Sequence, residues 1–245
     1  MPSIPVDVLR EILEHVDQKD LATLCRVNKI FCSCSRDVLY REIHNEDKRA
    51  ILQTLAKSTD LARRVRSFNH LHSPGELATA LRNMSSLRRL NLYCISDVSV
   101  LDGCTFKLDS LTCNFLHSES LQRFLNSQPS LTHVTFYKGY EPLIPFDGCL
   151  PNLTRVEAMP SWLRILIPGR PVREVIMFSP SNIDSTDWSF FTFSTTPIQK
   201  LRIDYDLLYP KPVSLLISTF PSLVHLDVEA RDIKWTVCVP LCLSV

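Results

Sequence analysis

"QPSLTHVTF", Gln128–Phe136, decides how the whole chain is read. Its Leu131, Val134 and Phe136 follow a fixed order: apolar, two residues, apolar, one residue, apolar. Val134 and Phe136 alternate with His133 and Thr135, the period of a short half-buried strand. "MSSLRRLNL" (Met84–Leu92), "LPNLTRVEA" (Leu150–Ala158) and "FPSLVHLDV" (Phe220–Val228) carry the same order. Further copies are Val65/Phe68/His70, Leu108/Leu111/Cys113, Val172/Val175/Met177 and Ile198/Leu201/Ile203. Successive middle positions are separated by 22, 21, 23, 22, 19, 26 and 25 residues. A period of this size marks a solenoid, in which no repeat buries its apolar face alone.

The pattern resembles the leucine-rich repeat, in which a short strand is followed by a helix or an irregular return. "SPGELATALRNM" and "SESLQRFLNSQ" are amphipathic and long enough for return helices. "GYEPLIPFDGC" and "PSNIDSTDWSFFTFSTTP" are broken by Pro, Gly and Ser and predict irregular returns. The asparagine or cysteine of the leucine-rich consensus is missing three residues after each third apolar position. Ile95, Leu116, Gly139, Ser161, Pro180, Asp206 and Arg231 stand there instead, so the solenoid is expected to be irregular.

The residues beside each middle position are expected to face away from the core, on the concave side of the sheet. Arg89, Tyr93, Tyr137, Arg155, Met159, Ile176, Phe178 and Arg202 are among them. Apolar clusters with a polar rim mark binding sites, and aromatic and arginine side chains dominate interface energetics. These eight residues are therefore the candidates for holding a target protein. At the far end, the strand near Leu226 and Val228 has no capping helix after it, and its edge is expected to be open.

Ahead of the repeats, "IPVDVLREILEHVDQKDLATLCRV" (Ile4–Val27) carries two helical stripes. Val8, Leu9, Ile12, Leu13 and Val16 form one; Leu21, Leu24 and Val27 form the other, with Asp20 as the expected N-cap. Pro5 suits the first turn of a helix and Asp7 its dipole. "NKIFCSCSRDVLYREI" continues as a third helical segment whose apolar positions are Phe31, Val38, Leu39 and Ile43. Three short helices make too small a core to cover so many apolar residues, and a partner is the natural recipient of the surplus.

The order of these residues resembles the F-box. Ile4-Pro5 stands where that family has Leu-Pro, Val8-Leu9 and Ile12-Leu13 match its first helix, and "DQKDLATLCRVNKIF" matches its second helix and following turn. Phe31 replaces the frequent tryptophan, and the acidic residue that follows Leu-Pro is displaced to Asp7. The resemblance implies docking on a Skp-type adaptor and, through it, on cullin and RING subunits. Ile4, Pro5, Val8, Leu9, Ile12, Leu13, Leu21, Leu24, Val27 and Phe31 would form the contact.

The expected fold is thus α/β: a three-helix F-box over 1–45, a linker helix over 46–62 read from "NEDKRAILQTLAKSTDL", and an irregular parallel-sheet solenoid over 63–245. The implied function is substrate recognition for a Skp–cullin–F-box ubiquitin ligase. The alternative is a binding scaffold that uses the adaptor without ubiquitin transfer.

Composition narrows what else the chain could do. A net charge of +1 argues against a broad nucleic-acid or anionic-membrane footprint. No apolar run reaches the length of a membrane span, and no signal peptide is recognisable, so a location in the cytoplasm, the nucleus or both is expected. The nine cysteines contain no C-x-x-C and read as reduced thiols, so no metal or other cofactor is expected. None of the five glycines forms a phosphate loop, and neither G-x-S-x-G nor H-E-x-x-H occurs. Asp184, Asp187, Asp204 and Asp206 read as solvated loop and strand ends, and enzymatic activity is not expected. Cys242–Val245 has the outline of a prenylation signal, but Ser244 and the lack of a preceding basic cluster speak against lipidation.

Overall fold

An asparagine side chain fixes the start of the longest helix among the described residues. In this computed structural model, Asn28 Oδ1 accepts the backbone N–H groups of Ile30 and Phe31 at 2.9 and 3.0 Å, capping α3 (Lys29–Leu39). Asn28→Ala is expected to remove about 1 kcal/mol of stability, read as a lower urea midpoint at unchanged slope. The structure describes residues 4–45, 49–71, 75–93, 97–115, 118–137, 150–178, 188–204, 218–230 and 233–238. The chain divides into two compact units, Met1–Leu92 with Ser99–Phe106, and Tyr93–Val98 with Lys107–Val245.

In the first unit, α1 (Val6–Leu13) and α2 (Gln18–Leu24) pack on α3. Asp17, not Asp20, precedes α2; Asp20 lies in its first turn, where a carboxylate favours the helix dipole. Leu9, Leu13, Leu21 and Cys34 form the core, with Val16, Leu24, Phe31, Val38 and Leu39 packed against it. Asp37 on α3 accepts from Arg10 at 3.3 Å and also pairs with Arg64, which donates a further bond to Ser33 O at 3.2 Å.

The third helix ends before the sequence pattern does. Glu42–Asn45 is a strand, β1, and Ile43 is buried in register with Phe68 of β2 (Ser67–His70). Arg41 O accepts the N–H groups of Arg66 and Ser67 at 2.8 and 3.0 Å, so sheet pairing overrides the local helical period. The single helix expected after it is two, α4 (Arg49–Lys57) and α5 (Thr59–Ala62), divided at Ser58, whose hydroxyl accepts Leu61 N–H. Helix α6 (Leu77–Asn83), strand β3 (Arg89–Leu92) and the segment Ser99–Phe106 complete the unit. Strands β1, β2 and β3 are parallel, and Asn83 Nδ2 on α6 donates to Leu55 O and Ala56 O of α4 at 3.1 and 2.9 Å. The stretch expected as a linker is therefore the return between two paired strands.

The second unit stacks β4 (Ser110–Cys113), β5 (His133–Phe136), β6 (Arg155–Ala158), β7 (Glu174–Met177), β8 (Lys200–Asp204) and β9 (His225–Ala230) in chain order, all parallel. Leu111, Val134, Val156, Val175, Leu201 and Leu226 align in one register row. This is the row of middle positions read from the sequence. All but Leu226, which is half-buried, are buried. Returns include α7 (Glu119–Asn126), capped by Ser118 Oγ accepting Leu121 N–H at 3.2 Å, and α8 (Pro160–Leu166). The return before β8 is irregular where described, a 3-10 turn over Ser189–Phe193 that joins Trp188 and Phe220 in an aromatic cluster.

The expectation of an open β9 edge is corrected. Strand β10 (Ile233–Cys238) pairs antiparallel with all six residues of β9 and occupies its hydrogen-bonding groups. Among the described residues no helix is long and apolar enough to cross a membrane. Cys242–Val245, Asp184, Asp187, Asp206 and the return over 139–149 lie outside the described residues.

Candidate functional site

Two surfaces concentrate exposed or half-exposed apolar side chains, one in each unit. On α1, residues four apart share a face, and the stripe divides in two. Leu9 and Leu13 point into the three-helix core, while Val8 and Ile12 remain 45% and 49% exposed. Ile4, Val6, Val27 and Ile30 are exposed as well. Surfaces of this kind mark sites of protein contact.

The sequence-based list is thereby sorted. Ile4, Pro5, Val8, Ile12 and Val27 are exposed; Leu24 and Phe31 are half-buried against the core. Leu9, Leu13 and Leu21, also expected at the adaptor contact, are corrected to core residues that support the surface from beneath. Val6 and Ile30 belong to the exposed set and were missed. The Val27–Ile30 spacing of three was the available signal for the second of them.

The outward face of the second unit is built by strand alternation. Met159, the last residue before α8, has extended backbone, and the chain turns there into the helix. The rings of Tyr137 and Phe178, the residues that directly follow β5 and β7, stack at 5.3 Å. Tyr137 also meets Tyr93 at 5.8 Å, and Asn114 Nδ2 donates to Tyr93 O. Three aromatic rings therefore form a ladder, and Tyr137 is its most exposed member at 38%. Partial burial, then the neighbouring Tyr93 and Glu157, push the Tyr137 phenol up from its ordinary pKa.

Beside the ladder runs a charged surface that is largely self-paired. Arg155 bonds Glu157, its Nε donating at 2.8 Å, and reaches Glu174 at 3.1 Å, while Arg202 pairs with Glu229. Ile176 sits between Glu157 and Arg202 in the register. Expected to be exposed, it is corrected to buried at 9%, because the long side chains beside it shade a residue at the floor of the sheet. Arg155, Glu174, Ile176, Lys200, Arg202 and Asp227 line a cleft of about 290 Å³. Arg89 belongs to the first unit, where it pairs with Glu42. Of the target candidates, Tyr93, Tyr137, Arg155, Met159, Ile176, Phe178 and Arg202 thus fall in the second unit, Met159 and Phe178 half-buried.

No group of three or more metal-ligating side chains occurs among the described residues. Burial pushes the Cys104 and Cys113 thiols up to about 11 and about 12, which keeps them protonated and unreactive at neutral pH.

No curated protein matches the chain. The family model of the F-box domain matches residues 1–42, which hold α1, α2, α3 and the entry to β1. The exposed apolar face described above thus lies within an F-box domain, the type of domain that binds Skp-type adaptors of ubiquitin ligases, and the protein carries that domain over residues 1–42.

Proposed function

We propose that the protein is the substrate-recognition subunit of a Skp–cullin–F-box ubiquitin ligase. The observation that carries this reading is the set of six apolar side chains, Ile4, Val6, Val8, Ile12, Val27 and Ile30, left in solvent on the F-box domain. The adaptor covers them, and cullin and RING subunits follow through the adaptor. The outward face of the second unit holds the target, with the Tyr93–Tyr137–Phe178 ladder as its anchor. The chain itself performs no chemistry; it raises the effective concentration of the target at the ligase.

The test is reconstituted ubiquitin transfer to a protein that accumulates when the gene is removed. Tyr137→Ala with Phe178→Ala is expected to weaken target capture on the order of a hundredfold, since anchoring aromatics cost about 1–2 kcal/mol or more each when truncated. Adaptor binding should be unchanged. Arg155→Glu should add to the loss. Target capture that survives all three substitutions would move the target site off this face.

A further inference from the structure

The turn between α2 and α3 carries a cysteine at each end. Cys25 closes α2, and Cys32 lies in the first turn of α3. Both are free and half-buried. We infer that they are a redox-sensitive pair, which hydrogen peroxide closes into a disulfide that clamps the turn and weakens adaptor docking.

The backbone fixes both ends of the turn. Cys25 N–H donates to Leu21 O at 3.1 Å, and Cys32 N–H donates to Asn28 O at 2.9 Å. The Cys25 thiol reaches across, donating to Cys32 O at 4.0 Å. Burial, then the adjacent Cys32 thiol, push the Cys25 thiol up, while Arg36, one turn along α3 from Cys32, pulls it down. Partly exposed thiols beside a cation are the ones that oxidise, and buried thiols are inert. Cys34 is of the buried kind. It belongs to the three-helix core and, two residues from Cys32 on one helix, does not face it.

Cys25, its thiol raised and protonated at neutral pH, is the second of the two to react. The Cys32 sulfur takes one oxygen from the peroxide, giving a sulfenic acid and a water. The Cys25 sulfur then displaces the hydroxyl group, which leaves with the Cys25 proton as a second water. Two thiols are oxidised, one peroxide is reduced to two waters, and the chain loses two hydrogens. A disulfide accepts only a narrow geometry, so closing this loop shifts the residues within it. Among them are Val27 and Ile30, 60% and 57% exposed. They belong to the adaptor face proposed above, and the effect on docking rests on that reading.

The experiment oxidises the full chain with hydrogen peroxide, alkylates the remaining thiols and maps the tryptic peptides by mass spectrometry. The expected product joins Asp20–Arg26 to Ile30–Arg36, with fragmentation placing the bond on Cys32 and not on Cys34. Cys25→Ser and Cys32→Ser should each abolish it. Circular dichroism reports folding of each variant, and Cys25→Ala or Cys32→Ala replaces one that fails to fold. Oxidation should weaken adaptor capture by the wild type about fivefold or more, and dithiothreitol should restore it. Cys25→Ser should capture adaptor equally well before and after peroxide. The inference is overturned if the Cys25–Cys32 bond does not form, or if the bonded chain captures adaptor as well as the reduced one. A reduced wild type that captures no adaptor would overturn the adaptor face and with it the effect on docking, while the peptide map still decides the disulfide.

Discussion

Ile12→Asp combined with Val27→Asp is expected to abolish capture of the Skp-type adaptor while the chain stays folded. Both side chains are largely in solvent, at 49% and 60% exposure, and surface substitutions of this kind change stability by about 0.5 kcal/mol or less. In the complex the same positions would be desolvated. Each substitution then loses an apolar anchor, on the order of 2 kcal/mol, and also buries a carboxylate without a partner. The sum exceeds a hundredfold in affinity, which a quantitative pull-down or calorimetry resolves. Leu13→Ala, one residue along the same helix, should behave in the opposite way. Leu13 is 1% exposed within the three-helix core, so its truncation should remove about 2–5 kcal/mol of stability before any effect on the partner is read. Adaptor binding that persists in the double aspartate variant would show that the exposed face is not the contact.

Trp162→Ala should destabilise the second unit by about 3–5 kcal/mol. The indole is fully buried on α8 and stacks on Phe136 of β5 at a centroid distance of 4.3 Å and an interplanar angle of 19°. Its loss empties the largest fully buried side-chain site in the described protein. The chain's three tryptophans, Trp162, Trp188 and Trp235, all fall in the second unit, so tryptophan fluorescence follows that unit selectively. With a urea slope of about 1–3 kcal/mol/M, the midpoint should fall by one or more molar, or the unit should be unfolded without denaturant. Adaptor capture should survive, because the F-box helices have their own core around Leu9, Leu13, Leu21 and Cys34. A change in stability below 1 kcal/mol would contradict the packing of α8 on the sheet.

The repeat was legible because its signal is redundant. The triads containing Phe68 and Leu90 in one unit, and Val134, Val156 and Val175 in the other, are each weak alone, yet their recurrence at similar intervals aligns their middle residues as the register does. A parallel strand must enter the sheet at the level of its neighbour, and that constraint writes a period into the sequence. Where no period supports the reading, it fails. Ile43 sits one turn beyond Leu39 and continues a helical stripe on paper, but pairing with Phe68 makes it a strand residue. The α1 stripe showed which residues are apolar and not which of them α3 covers, so Leu9 and Ile12 could not be separated without the helix packing. Ile176 alternates outward correctly, but Glu157 and Arg202 shade it from neighbouring strands, an effect of residues distant in sequence. The stacking of Tyr137 on Phe178, two strands apart, was likewise invisible, because the intervening Met159 leads the chain into α8.

The central claim is that the N-terminal apolar face recruits a ligase and the second unit brings the target to it. Affinity purification of the wild-type chain beside the Ile12→Asp/Val27→Asp variant, with quantitative mass spectrometry, tests this most directly. The account predicts that adaptor, cullin and RING subunits accompany the wild type together and that all three are lost from the variant, while the target is retained by both. Adaptor without cullin on the wild type, or loss of the target together with the adaptor, would contradict it.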